Sequence, residues 1–329
     1  MHRSGRAAPP AHAGPGRWGP LRGLAAGCVL AVLVWRVGTG PFVAGLARVD
    51  PGSLALASGV AVVTTLCCSW RWTLVARGLG VVVPLREAVS AYYRSQFLNV
   101  ATPGGVLGDV DRGLRHGRAA GDTGRGLRSV VWERLAGQVV LVVVAGSTLV
   151  LLPSPVRHPA RMTVLAALAA TVAVVSLAAA LHRWPVSSAR RRGPAPAWAR
   201  RLRHTGTEAR TVVLARRTRA GILLASLVAV SGHLLTFFVA ARTAGSVAAP
   251  LRLLPLALVV LLAMGLPNVA GWGPREGMAA WAFSAGGLGA EQGVATAVVY
   301  GVMVFVGALP GAALMLTTAL RRMRSVRGG

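Results

Sequence analysis

Seven long apolar runs decide what this chain can become. They are Leu24–Val37, Leu54–Leu66, Val139–Leu152, Val164–Leu181, Ile222–Ala241, Leu251–Leu266 and Val294–Met315. Each, with its flanks, approaches the roughly 20 residues a helix needs to cross about 30 Å of hydrocarbon. A soluble domain of this length would separate polar from apolar faces, and these runs do not. The fold class is therefore all-α: a polytopic integral membrane helical bundle of about seven or eight hydrophobic segments. Two further segments are broken by proline, glycine and charge.

The formal charge of +27 comes from 36 basic residues, all arginine, against nine acids. The arginines gather at the ends of apolar runs rather than along one polar face. That is the positive-inside bias of membrane loops, with affinity for anionic headgroups as a by-product, and not a nucleic-acid surface. Cys28, Cys67 and Cys68 lie inside apolar runs, without the spacing of a metal site or a disulfide framework. No metal and no cofactor is expected.

Arginine placement also sets the topology. Residues 1–20 form a basic tail, and Arg3, Arg6, Arg17 and Arg22 precede an apolar stretch as in a secretory signal. No small-residue cleavage site follows, so the expectation is a disordered cytoplasmic tail and a retained first helix, Leu21–Phe42. A single transmembrane domain then covers residues 21–320, and the basic tail 321–329 is cytoplasmic too, in a plasma-membrane protein. The second helix, Leu54–Ala76, returns to a side carrying Arg77 and Arg86. The segment Leu85–Val106 has arginines at both ends: Arg86 before it, and Arg112, Arg115, Arg118, Arg125 and Arg128 after it. Two half-helices dipping in from the cytoplasm and turning at "TPGG" satisfy both ends.

Crossings over Ser129–Leu152, Met162–Leu181 and Ala220–Ala241 follow, with Arg183–Arg219 as a basic cytoplasmic loop carrying a surface helix near Trp198–Arg217. Ala290–Leu320 must run inward to the C-terminal "RRMRSVR", so Leu251–Gly287 begins and ends outside. Its break, "GLPNVAGWGPREG", enters from the opposite face to the first one. Paired breaks of this kind mark transporters whose site lies between two inverted halves. The halves share no residue-level repeat, so the inverted repeat rests on topology.

In the first break Pro103 ends a half-helix, and Gly104 and Gly105 permit the reversal. A helix starting near Gly108 places Asp109 and Asp111 at its positive end, with Asp109–Arg112 and Asp111–Arg115 as i,i+3 and i,i+4 pairs. Backbone donors at such a start can hold a lipid phosphate, with Arg112 as helper and the aspartates facing a cationic headgroup. An ordinary membrane-surface turn with solvated ion pairs would use the same residues. In the second break Gly273 caps a helix, Pro274 fits its first position and Glu276 suits its dipole. A cap accounts for Glu276 as well as a site does; Arg275 beside it, at bilayer depth, favours a site. Gly271-x-Gly273 fails the dinucleotide fingerprint, and "GGVLGD" lacks the lysine and hydroxyl of a phosphate loop.

Glu133 and Arg134 fall at the start of a crossing helix, about 100° apart, and need other partners. Arg112 and Asp109 across the break qualify; a snorkelling Arg134 is the competing explanation. His233 is expected to hydrogen-bond another helix, and Arg71, between Trp70 and Trp72, to anchor at the interface.

The stretches "YYRSQFLNVATPGGVLGDVDRGLRHGR", "VVWERLAGQ" and "LPNVAGWGPREGMAAWAFSAGGL" resemble the flippase-like family, the transmembrane region of lysyl-phosphatidylglycerol synthases and its stand-alone relatives. The likeness covers nearly the whole chain after the basic tail. It implies movement of an aminoacylated lipid from the inner to the outer leaflet. It also carries over Asn99, Pro103, Gly104, Gly108, Asp109, Arg112, Glu133, Arg134, Gly271, Gly273 and Glu276. With Gly105 and Arg275 these are the candidate substrate-binding residues, and none is assigned as catalytic.

Bifunctional members of that family add a soluble domain that transfers the amino acid from a charged tRNA. This chain stops at Gly329, just past its last helix, so aminoacyl transfer is not expected of it. The expected function is lipid translocation through a cavity formed by the two broken segments, for a phospholipid with an anionic or aminoacylated headgroup. The alternatives are a membrane transferase acting on a lipid-linked donor, and a scaffold using the Arg183–Arg219 loop. The sequence leaves room for a separate lipid-modifying enzyme and for a homo-oligomer.

Overall fold

Helix starts follow short polar and proline signals at the ends of the apolar runs. The computed structural model describes residues 39–102, 105–152, 216–265 and 272–327, and the regular elements there are helices. A short α1 (Gly40–Ala47) leads to α2 (Pro51–Gly78), where the Asp50 carboxylate accepts from the Ser53 N–H at 2.9 Å and Pro51 sits in the first turn. The first broken pair is α3 (Leu85–Ala101) and α4 (Leu107–Ala119). Next, α5 (Thr123–Leu151) starts on Asp122, which accepts from the Arg125 N–H at 3.0 Å. That bond holds the Asp122 carboxyl below the usual aspartate range. Then come α6 (Arg216–Thr243), α7 (Pro250–Ala263), α8 (Pro274–Ala285) and the 38-residue α9 (Ala290–Arg327).

Among the described residues four helices are long and apolar enough to cross a membrane: Pro51–Gly78, Thr123–Leu151, Thr218–Thr243 and Ala290–Arg321. This is a multi-pass membrane protein with fewer described spans than apolar runs. Leu24–Val37 and Val164–Leu181 lie outside the described residues, with most of the expected first helix and of the basic loop. Leu251–Leu266 forms only the 14-residue α7, about 21 Å long and short of a full crossing. Helix α9 continues into the last basic stretch as far as Arg327.

The short α7 is the best-buried element, with Leu256–Ala263 buried throughout, as expected of a helix that is apolar all round. It packs on α5, α6 and α8, while α9 touches α1, α2, α3, α6 and α8. The two broken pairs are thus held within one helical assembly.

The first break is closed by one very close approach. A Cβ on Gly108 would collide with the Ser95 carbonyl and α-carbon, so α4 begins directly against α3. Gly108→Ala should lower stability by about 1–3 kcal/mol through overpacking, read as a fall in the unfolding midpoint in detergent. Gly146→Ala, where a Cβ meets nothing within 4 Å, should hold or raise that midpoint.

Candidate functional site

At the first break α3 clasps the start of α4 through one asparagine. Asn99 Oδ1 accepts from the Gly108 N–H at 2.8 Å, and its Nδ2 donates to Asp109 Oδ2 at 3.2 Å. The Ser95 hydroxyl donates to Asp109 Oδ1 at 2.9 Å. The Gly108 donor expected to receive an anion is therefore already taken by Asn99, and a carboxylate sits beside it. Gly105 turns with φ +66°, as the reversal required. Pro103 and Gly104 lie outside the described residues.

From Asp109 the charges run inward. Its carboxylate meets Arg112 Nη2 at 3.0 Å and Arg134 Nη2 at 2.9 Å. Arg112 continues to Glu133 Oε2 at 3.2 Å, and the other Glu133 oxygen takes Arg71. The Tyr92 hydroxyl also donates to that oxygen, at 3.3 Å, and Arg71 Nη1 donates to the Ser226 hydroxyl at 3.0 Å. Arg112 lies between two rings, its guanidinium carbon 4.5 Å from the Trp72 centroid and 4.3 Å from that of Tyr92. Five charges from α2, α4 and α5 form one network.

Three sequence expectations change here. Arg71 is not an interface anchor: it is buried and ion-paired to Glu133. Glu133 and Arg134 are not at the start of their helix, because the Asp122 cap starts α5 at Thr123. They lie ten residues in, roughly 15 Å along the axis. Arg112 is not free to help bind phosphate, since it is 1% exposed and committed to two carboxylates. A surface turn with solvated ion pairs describes only Asp111–Arg115, an exposed pair at 2.8 Å; Glu133, by contrast, is 0% exposed.

The second break repeats the chemistry on a smaller scale. Gly273 adopts φ +112°, and its N–H donates to Glu276 Oε2 at 2.6 Å. The other Glu276 oxygen pairs with Arg275, so this glutamate is both a helix cap and half of a buried ion pair. Arg275 lies 5.4 Å from the Trp272 centroid and 5.7 Å from that of Tyr300. The Tyr300 hydroxyl meets His233 Nδ1 at 3.1 Å, joining α9 to α6 as expected of that histidine. Gly271 lies outside the described residues.

The two breaks converge on one interior region. His233 is within electrostatic reach of Arg134 and Arg71. Gln138, one turn beyond Arg134, stands 3.8 Å from where a Cβ on Gly265 would lie, at the edge of the second break. Arg134 and His233 both present exposed side-chain surface. Arg71, Trp72, Tyr92 and Tyr300 escaped the sequence reading as site residues. For Arg71 the signal was a charge inside a run that should tolerate none. Among the described residues no His, Cys, Asp and Glu cluster suits a metal ion.

A family model described as the Lysylphosphatidylglycerol synthase TM region matches residues 21–311. No curated protein and no solved structure matches.

Proposed function

We propose a function for a chain that belongs to the lysylphosphatidylglycerol synthase TM-region family: it moves a polar or aminoacylated phospholipid, or another lipid-linked headgroup, between leaflets. The headgroup crosses between the two breaks while the acyl chains stay in the bilayer. The observation that carries this is the five-charge network, fully enclosed at Glu133 and Arg112 and open at Arg134. Stability alone is a poor reason for such a network, because buried ion pairs can often be replaced by well-packed apolar residues at no loss. Charges at this position in a membrane protein are kept for what passes them.

The residues that form the site carry no nucleotide-binding motif, and scrambling or exchange down a gradient is the proposed mode in preference to pumping. The chain acts in the plasma membrane with both termini cytoplasmic, and the candidate set from Asn99 to Glu276 lines or supports the path. Liposomes holding the purified protein and fluorescent phospholipid test this. The inner-leaflet label should become accessible to an external quencher, with the lipid chemically unchanged by mass spectrometry. A covalently altered lipid would instead make the protein a transferase. Removing residues 183–215 should spare movement, and loss of movement in that variant would favour a scaffold.

A further inference from the structure

Each break sits inside a copy of one four-helix unit. A long helix, a broken pair and a second long helix follow one another as α2–α3–α4–α5 and again as α6–α7–α8–α9. The sequence repeats faintly at matching places: "RGLGVVVPLR" at 77–86 against "RTAGSVAAPLR" at 242–252, and "LNVA" at 98–101 against "LPNVA" at 266–270. A residue-level repeat is therefore present, contrary to the sequence expectation. The turns match bond for bond. After α2, Gly80 has φ +77° and the Val81 N–H donates to the Ala76 carbonyl at 2.9 Å; after α6, Gly245 has φ +91° and the Ser246 N–H donates to the Ala241 carbonyl at 2.9 Å. After α4 and α8 the same turn recurs at Gly121 and Gly287. The copies are inverted, because α2 and α6 run antiparallel: Gly221 lies against Leu74, Ser226 bonds Arg71, and Gly232 lies against Thr64.

Inversion makes two seams between the copies equivalent. On one, α9 lies along α3, with the Phe97 and Phe305 rings 6.5 Å apart and Gly311 against Tyr93. On its mate, α5 lies along α7, with Ala145 packed among Leu258 and Leu262 and Gln138 near Gly265. The seams are not in the same state. A Cβ on Gly311 would stand 2.1 Å from the Tyr93 carbonyl, so the backbones meet there. One on Gly265 would stand 3.8 Å from Gln138, and Arg134, one turn before Gln138, has a side chain 45% exposed. The ion pairs of the breaks stay within a copy: the Asp109–Arg112–Glu133–Arg71 chain in the first, Arg275–Glu276 in the second. Each copy is thus braced internally, and sliding along a seam strands none of these charges. We infer that the α3–α9 and α5–α7 seams exchange states, one closing as the other parts, about the α2–α6 crossing. This deepens the translocase reading by supplying its motion.

The test is the rate of maleimide labelling of the full chain in detergent, with Cys28, Cys67 and Cys68 replaced by alanine. Single reporter cysteines are placed on either seam, as Phe97→Cys or Gln138→Cys. Gly311→Ala is the wedge, because its methyl group cannot fit against the Tyr93 carbonyl. The wedge should raise labelling of Phe97→Cys and lower that of Gln138→Cys, each about threefold or more. A folding defect raises both, so the opposite signs are the signature of exchange. Both reporters rising, or either one unchanged, would overturn the inference. Ala145→Val, a wedge on the mate seam, should lower labelling of Phe97→Cys, and a rise there with helix content intact would also overturn it. Opposite signs without phospholipid movement in liposomes would leave the exchange standing and remove the translocase. Full movement with the two reporters unlinked would do the reverse.

Discussion

Glu133→Ala lowers the stability of the folded protein by about 3–5 kcal/mol, the range for breaking a buried ion pair from one side. Glu133 is 0% exposed and is the shared partner of Arg71 and Arg112. Its removal strands one guanidinium outright. The other keeps Asp109, two ring faces and nothing more. Both arginines are buried, and α5 closes directly over Arg71, where a Cβ on Gly137 would meet the guanidinium at 2.8 Å. The unfolding midpoint in detergent measures the loss. The comparison is Asp111→Ala, which breaks an exposed pair and should cost at most about 1 kcal/mol. Equal midpoints for the two variants would contradict the buried network.

The second large effect falls on the other break. Glu276→Gln keeps an oxygen that can accept from the Gly273 N–H, so the cap survives, but Arg275 loses its buried counter-charge. The expected cost is again about 3–5 kcal/mol. Adding Arg275→Met removes the stranded charge and should restore much of the midpoint, since an apolar side chain can fill the space between Trp272 and Tyr300. Transbilayer movement should not return in the double variant. Recovery of both stability and movement would make this pair a structural element only.

Much of the architecture was legible because lipid leaves few choices. Long apolar runs announced the spans, and the Pro-Gly-Gly break announced the separation of two helices, α3 and α4, on either side of it. The pairs Asp109–Arg112, Asp111–Arg115, Glu133–Arg112 and Arg134–Asp109 followed from helical spacing and from the need of Glu133 and Arg134 for separate partners. What could not be read was the third dimension. Helical period alone did not show that Arg71, 62 residues before Glu133, faces it, or that Arg112 stacks between rings from α2 and α3. Nor did it separate a sealed arginine from an open one. Arg112 looked like the phosphate ligand because it stood beside the helix start, and Asn99 had already filled that start. The depth of Glu133 was misjudged for a local reason: the Asp122 cap lies in a polar stretch that reads as loop.

The central claim is that the charged break carries the headgroup, and one rate tests it most directly. Asp109→Asn protein, shown to be folded by an unchanged elution profile and helix content, is placed in liposomes beside wild type. Access of a quencher to inner-leaflet phosphatidylglycerol is then followed in time. The account predicts rapid access with wild type and a fall of about tenfold or more in the variant, because the carboxylate that joins Arg112 and Arg134 at the break is gone. Movement at the wild-type rate in the folded variant would contradict it.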